Sequence, residues 1–172
     1  MHYNPERSAE VLRTALIRER AGGGNEIVVW KILGALVEIG PAAKLAVPDL
    51  TDLAQIDQSA GVSAKTATVL AVIALARIEP ENPQWIDQLV ESLQDSDGGV
   101  NFGAAWELGK HGEAARHAVQ PLLLLAKTAQ DWRTKGMAAT AAWRLDSSAP
   151  NPLNSITCRM NPRARFSVAE SR

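Results

Sequence analysis

The side chains with the greatest capacity for metal chemistry in this sequence are three histidines, of which two are close together. His111 and His117 flank a glycine turn, with Glu113 between them, whereas His2 is remote. Zinc and iron accept imidazole and carboxylate ligands, but their protein sites usually need three or four such groups on rigid elements. We therefore expect no metal and no cofactor. His111 occupies a position that is apolar in the equivalent repeats described below, and we interpret it as a packing side chain.

Other patterns that could support catalysis are incomplete. The glycines at 22–24 precede no Lys-Ser/Thr pair and follow a helical pattern rather than a strand, so they do not form a phosphate-binding loop. No histidine is placed to activate a serine, and the single cysteine, Cys158, permits neither an internal disulfide nor a cysteine-based zinc site. Asp95 and Asp97 lie in a turn, where helix capping explains them. The sequence predicts a protein that is not an enzyme.

Composition and charge limit the classes of partner. The 18 Lys and Arg residues nearly balance the 19 Asp and Glu residues, so the chain as a whole is not attracted to nucleic acid or anionic lipid. Charges recur throughout the first residues, and no later segment approaches the roughly 20 apolar residues that span a bilayer. We expect a cytoplasmic protein without a membrane partner. Hydrophobic residues make up 46% of the chain but aromatic residues only 5%, which favours helices packed closely through small side chains.

An internal repeat reveals the elements that must position these side chains. Residues 38–54 align with residues 110–126 at a constant offset of 72, which pairs Gly40 with Gly112. A weaker copy lies between them, so the mean spacing is about 36 residues. Each unit has the pattern of two helices joined by a turn, in which Gly112 can adopt a positive φ. Pro48 and Pro121 fall within the second helices, which we expect to begin or bend there.

Helix pairs of this kind stack in series, and the repeat predicts about eight helices. We therefore expect an all-α fold, a right-handed α-solenoid of antiparallel helix pairs that occupies residues 1–148. In the third unit the second helix is expected at residues 114–129. Residues 149–172 are rich in proline and arginine and lack the regularly spaced apolar residues of an amphipathic helix, which predicts a C-terminal tail. The expected units are an unpaired helix at 9–20, helix pairs at 25–57, 63–95 and 99–130, and an unpaired helix at 134–146.

The third unit resembles the HEAT-like repeats, and the resemblance extends over roughly residues 9–146. The family pattern places Asp, Val, paired Ala and Leu-Gly along the first helix. The resemblance implies an armadillo-like solenoid that acts as a protein-binding scaffold, because repeats of this kind mostly bind other proteins. The matching residues are Asp97, Val100, Ala104, Ala105, Leu108, Gly109 and Gly112.

Two enzyme families have similar repeats. Deoxyhypusine hydroxylase holds iron through repeated His-Glu pairs, and this chain has none. Phycobilin lyases attach a bilin pigment without a short diagnostic motif, so a phycobilin-lyase-like activity remains the alternative to a non-catalytic scaffold.

Four large aromatic residues break the family pattern by occupying the outer side of the first helices. On a helical wheel Phe102 and Trp106 lie opposite the inner stripe that contains Ala104 and Leu108. Trp143 is the equivalent of Trp106 one unit later, and Trp30 is the equivalent of Phe102 in the first unit. We call Trp30, Phe102, Trp106 and Trp143 the aromatic face. A contiguous apolar surface usually marks a contact, so we predict that this face binds a protein partner.

Other partners for these surfaces stay open at this point. The aromatic face or the exposed terminal helices could form a homo-oligomer, and the tail could cover the face with its own apolar residues. A third alternative is nucleic-acid backbone binding through the tail arginines. Trp85 and Trp132, at the starts of predicted helices, are interpreted as structural. The apolar tail residues are Leu153, Ile156, Met160 and Phe166, and the tail arginines are Arg159, Arg163 and Arg165.

Overall fold

The computed structural model describes residues 4–23, 25–55 and 62–150. Within those ranges the chain forms eight α-helices and two 3₁₀ segments, and it contains no β-strand. The 3₁₀ segments are Gly40–Ala46 and Gly112–Ala118. The helices are α1 (Pro5–Ala21), α2 (Glu26–Ile39), α3 (Val47–Ala54), α4 (Val62–Ile78), α5 (Pro83–Ser92), α6 (Gly98–Leu108), α7 (Val119–Thr128) and α8 (Trp132–Leu145).

The helices form two layers. In the first layer α2, α4, α6 and α8 pack side by side in that order. In the second layer α1 packs on the first 3₁₀ segment and α5 on the second, while α3 and α7 lie against α4 and α8. Each element therefore contacts elements that are close to it in the sequence. The predicted all-α solenoid of about eight helices is confirmed.

The core lies between the layers and is built from leucine and alanine. Leu36, Leu75 and Leu108 are completely buried in successive first-layer helices. Helix α4 is the most enclosed, because α2 and α6 flank it within its layer and α3 and α5 lie behind it. Small residues bring backbones together: a Cβ on Gly109 would lie only 3.1 Å from the Cα of Ala141. The scarcity of aromatic residues thus matches a closely packed helical core.

Polar caps and glycines define the helix ends. The side chain of Asp97 accepts hydrogen bonds from the backbone N–H groups of Gly99 and Val100 at the start of α6, as its position in a turn predicts. Gly40 and Gly112 begin the two 3₁₀ segments, after the first helices of their units, with φ of 62° and 55°. These left-handed conformations favour glycine and explain why the residue recurs at both positions.

Two predicted helix boundaries are wrong. Helix α1 begins at Pro5 rather than at residue 9, because Asn4 caps it and proline suits the first turn. The second helix of the third unit does not start at residue 114: a 3₁₀ segment precedes α7, which begins at Val119. Pro121 explains this division, because proline has no N–H to donate and its ring collides with the carbonyl four residues earlier. Pro48 divides the first unit in the same way.

The predicted tail at 149–172 lies outside the described residues from position 151 onward, and so does the alternative in which it covers the aromatic face. Among the helices that the structure describes, none combines the length and the apolar character needed to cross a membrane.

Candidate functional site

A groove crosses the surface of the first layer between α2 and α6, with α4 as its floor. It has a volume of about 430 Å³ and is mostly apolar. Glycine leaves it open on both sides, because Gly34 on α2 and Gly103 on α6 have no side chains to fill it. The apolar lining consists of Val37 on α2, Leu70 and Ile73 on α4, and Phe102 and Trp106 on α6.

The wall formed by α6 is aromatic, and cations lie over both of its rings. Phe102 and Trp106 are one helical turn apart, and Trp106 is 44% exposed. The Lys110 ammonium lies 4.7 Å from the centre of the Trp106 ring, and the Arg133 guanidinium lies 5.6 Å from the centre of the Phe102 ring. Both distances are within the range of cation–π attraction.

A buried carboxylate closes one end of the groove. Glu107 on α6 accepts hydrogen bonds from the Nε and Nη2 atoms of Arg77 on α4, and from the Lys110 ammonium at 3.1 Å. The Nε2 atom of His111 lies 3.3 Å from the same carboxylate, without the alignment of a good hydrogen bond. Glu107 therefore links two adjacent units through a two-pronged ion pair with Arg77.

These contacts keep Glu107 ionised. Burial raises the pKa of this carboxyl, but the contacts with His111, Arg77 and Lys110 outweigh that effect and lower the pKa from 4.5 to about 2. Conversely, the pKa of Arg77 is raised, chiefly by its hydrogen bonds to Glu107. The cluster is a stable set of charges at neutral pH, and its carboxylate is too weak a base to accept a proton readily.

Two of the four residues in the predicted aromatic face line the groove, and two lie beside it. Phe102 and Trp106 form its wall. Trp30 is half-buried on α2, four residues before Gly34 and thus on the same side of that helix. Trp143 is 40% exposed on α8, the neighbour of α6, and is not part of the groove lining. All four aromatic residues therefore lie on helices of the first layer, but only Phe102 and Trp106 line the groove together.

The two remaining tryptophans differ from each other. Trp85 is structural, as predicted: it is buried in the first turn of α5 and its Nε1 donates a hydrogen bond to Glu79 at 2.9 Å. The prediction for Trp132 is wrong. At the first position of α8, Trp132 is 78% exposed and is therefore not a packing residue.

His111 and His117 contact different carboxylates. His111 is directed to Glu107, whereas the Nε2 atom of His117 lies 3.1 Å from the Asp87 carboxylate on α5. Within the ranges that the structure describes, no group of three or more potential ligands is close enough to hold a metal ion.

Sequence reasoning missed the ion cluster, although one signal was present. Glu107 lies between Ala104 and Leu108 on the buried side of α6, where a charged residue requires a partner. Lys110 and His111, three and four residues later, are local candidates. Nothing in the sequence identifies Arg77, which comes from the preceding unit.

A comparison with protein families agrees with this architecture. Residues 65–143 match the family model of HEAT repeats. This stretch contains the floor of the groove, its aromatic wall and the ion cluster, so these parts of the candidate site lie within HEAT-like repeats, whereas the α2 side of the groove precedes the matched residues. No curated protein and no solved structure matches the chain.

Proposed function

We propose that this protein is a non-catalytic interaction module that binds another protein through the groove and the adjacent aromatic face. The observation that supports this proposal is the exposed Trp106 beside Phe102 on the wall of an apolar groove. Burial of an aromatic side chain at an interface contributes on the order of 2 kcal/mol, which changes an affinity by about thirtyfold. A solvent-facing ring adds much less to the stability of the stack beneath it. Recognition of a partner accounts for this surface better than folding does.

The charged groups of the groove support binding rather than catalysis. Arg77 and Lys110 are both engaged with Glu107, and the low pKa of Glu107 leaves it a poor general base. The same argument weighs against a phycobilin-lyase-like activity that uses an acid–base pair beside the pigment. Co-expression with bilin synthesis tests that alternative directly. A visible absorbance band that purifies with the protein would contradict the scaffold proposal.

The binding proposal can be tested by comparing the wild-type chain with single variants in affinity capture from native cells. Trp106→Ala should reduce recovery of the wild-type partner by at least about tenfold. Trp132→Ala is the matched control, because it removes an even more exposed indole from outside the groove lining. Both variants should keep nearly the wild-type thermal midpoint. Equal recovery with both variants would exclude the groove as the binding surface.

A further inference from the structure

The groove has positive and negative side chains in equal number. Among the described residues that line it, Arg77 and Lys110 are cations, and Glu38 and Glu107 are carboxylates. Arg77 and Glu107 are paired with each other. The charges at the two rims have opposite signs, because Glu38 is exposed on α2 and Lys110 is exposed on α6. An occupant that complements both rims therefore carries a cation opposite Glu38 and a carboxylate opposite Lys110.

The two walls of the groove also differ in shape. Trp106 on α6 is a large side chain that is 44% exposed, whereas α2 has Gly34 at the equivalent position, 72 residues earlier. A Cβ on Gly34 would meet nothing within 4 Å apart from the local backbone of its own helix, so this wall is open. One wall thus carries an exposed ring, and the other wall has a recess that such a ring can fill.

The repeat places these opposite features at equal heights along parallel helices. Helices α2 and α6 begin 72 residues apart, and the same offset separates Gly34 from Trp106. It also separates Glu38 from Lys110. Both helices are the first helices of their units and run in the same direction, because the units stack in series. Exchanging α2 and α6 therefore puts the ring at the height of the recess and the ammonium at the height of the carboxylate.

A two-fold axis performs this exchange. An axis that runs along α4 places α6 of each copy opposite α2 of the other copy and leaves the heights unchanged. Trp106 then faces the recess at Gly34 of the other copy, and Lys110 faces Glu38 of the other copy. Each Lys110 ammonium donates one hydrogen bond to Glu107 of its own chain, which leaves two donors for this second carboxylate. The surface is thus complementary to itself in shape and in charge.

The residues of the groove floor face their own equivalents across this axis. Leu70 and Ile73 are apolar, so bringing two copies of them together removes apolar surface from water. Arg77 would also approach its equivalent. Each Arg77 guanidinium already donates hydrogen bonds to Glu107 from Nε and Nη2, and this carboxylate offsets the repulsion between the like charges.

We infer that the groove is the two-fold interface of a homodimer, in which each copy inserts Trp106 into the recess at Gly34 of the other. A different protein would have to present a ring, a cation and a carboxylate at this same spacing. A second copy presents all three because of the 72-residue offset within its own sequence. This inference rests on the proposed function and names a second copy of the chain as the partner.

Sedimentation velocity of the full-length chain over a range of concentrations tests this inference. We expect a monomer–dimer equilibrium in which Trp106→Ala raises the dissociation constant by at least about tenfold. Gly34→Gln should have a similar effect, because the new side chain occupies the recess although nothing in the monomer obstructs it. Gly136→Gln is the matched control and should leave the dissociation constant unchanged. Gly136 is also a helical glycine with open surroundings, but it is outside the groove lining.

A charge exchange tests the pairing of the two rims. Glu38→Lys alone and Lys110→Glu alone should each weaken self-association by at least about tenfold, because like charges then face each other. A mixture of these two variants should form a heterodimer more readily than either variant forms a homodimer, because its rims again have opposite signs. If the new carboxylate beside Glu107 unfolds Lys110→Glu, the comparison of Gly34→Gln with Gly136→Gln still decides the question.

The outcomes separate the two proposals. A chain that stays monomeric at its highest soluble concentration would overturn this inference, and the proposed function would stand if Trp106→Ala still reduced capture of a different protein. A dimer that neither Trp106→Ala nor Gly34→Gln weakens would also overturn it, because another surface then forms the contact. Dimerisation only after removal of residues 151–172 would assign the groove to the C-terminal segment instead. A monomer that also shows equal capture by wild type and Trp106→Ala would count against both proposals.

Discussion

Replacement of Glu107 by glutamine tests the most unusual feature of the fold, a buried carboxylate that links two repeats. Gln has nearly the same size but no charge, so packing around the side chain changes little. Arg77 and Lys110 then lose the anion that they share, although both side chains are partly exposed and can turn toward water. We expect Glu107→Gln to fold into the same structure with lower stability at neutral pH.

The pKa of Glu107 gives the size and the pH dependence of this effect. Lowering the pKa from 4.5 in the unfolded chain to about 2 in the folded protein corresponds to about 3 kcal/mol of stabilisation by the charged form. Because the folded-state pKa is depressed, this stabilisation is fully present above pH 4.5 and disappears as the pH falls toward 2. The free energies of unfolding of wild type and Glu107→Gln should differ by about 3 kcal/mol at pH 7 and converge near pH 2.

Urea unfolding followed by far-ultraviolet circular dichroism at several pH values measures this difference. Glu113→Gln is the matched control, because Glu113 also pairs with an arginine, Arg116, but its side chain is 80% exposed. Such exposed pairs contribute at most about 1 kcal/mol, so the control should stay close to wild type at every pH. A Glu107→Gln difference that is below about 0.5 kcal/mol at pH 7, or that does not change with pH, would refute the assigned role of the carboxylate.

Four further substitutions concern helix ends and helix packing, and urea unfolding at neutral pH measures the effect of each. Gly112→Ala should destabilise the protein by about 1 kcal/mol because φ is 55° there, whereas Gly136→Ala should stabilise it by up to about 1 kcal/mol because its Cβ meets only open space in α8. Gly109→Ala should cost about 1–3 kcal/mol by forcing α6 away from Ala141. Asp97→Ala should cost about 1 kcal/mol through loss of the α6 cap. Equal effects of the first two substitutions, or neutral effects of the last two, would contradict these assignments.

The fold was largely predictable because successive helix pairs share one sequence pattern, in which a glycine follows the first helix. The match between Gly40 and Gly112 at a constant offset identifies the turn that ends a first helix, and both residues have the positive φ that glycine tolerates. The starts of the second helices were harder to predict. Pro48 and Pro121 indicate that an α-helix is interrupted, but the sequence does not distinguish a loop from the 3₁₀ segment that precedes each helix.

The candidate site was only partly predictable, because it depends on residues from different units. Helical periodicity correctly placed Trp106 on the outer side of α6, since that position follows from local spacing. The ion pair between Glu107 and Arg77 depends on the alignment of α4 against α6, which a repeat offset does not specify. The groove itself arises where side chains are missing, at Gly34 and Gly103, and apolar periodicity gives no signal for an empty space.

The ion cluster and the groove are two consequences of the same contact between α4 and α6. Glu107 holds Arg77 across this contact, and both residues line the groove, so the ion pair fixes the distance between its floor and its aromatic wall. Lys110 joins the two features, because its ammonium contacts Glu107 and also lies over the Trp106 ring. A binding surface that is rigid before the partner arrives loses less conformational entropy on association. In the proposed binding role, the ion pair of Glu107 and Arg77 therefore does more than stabilise the fold, because it also keeps the groove in one shape before a partner binds.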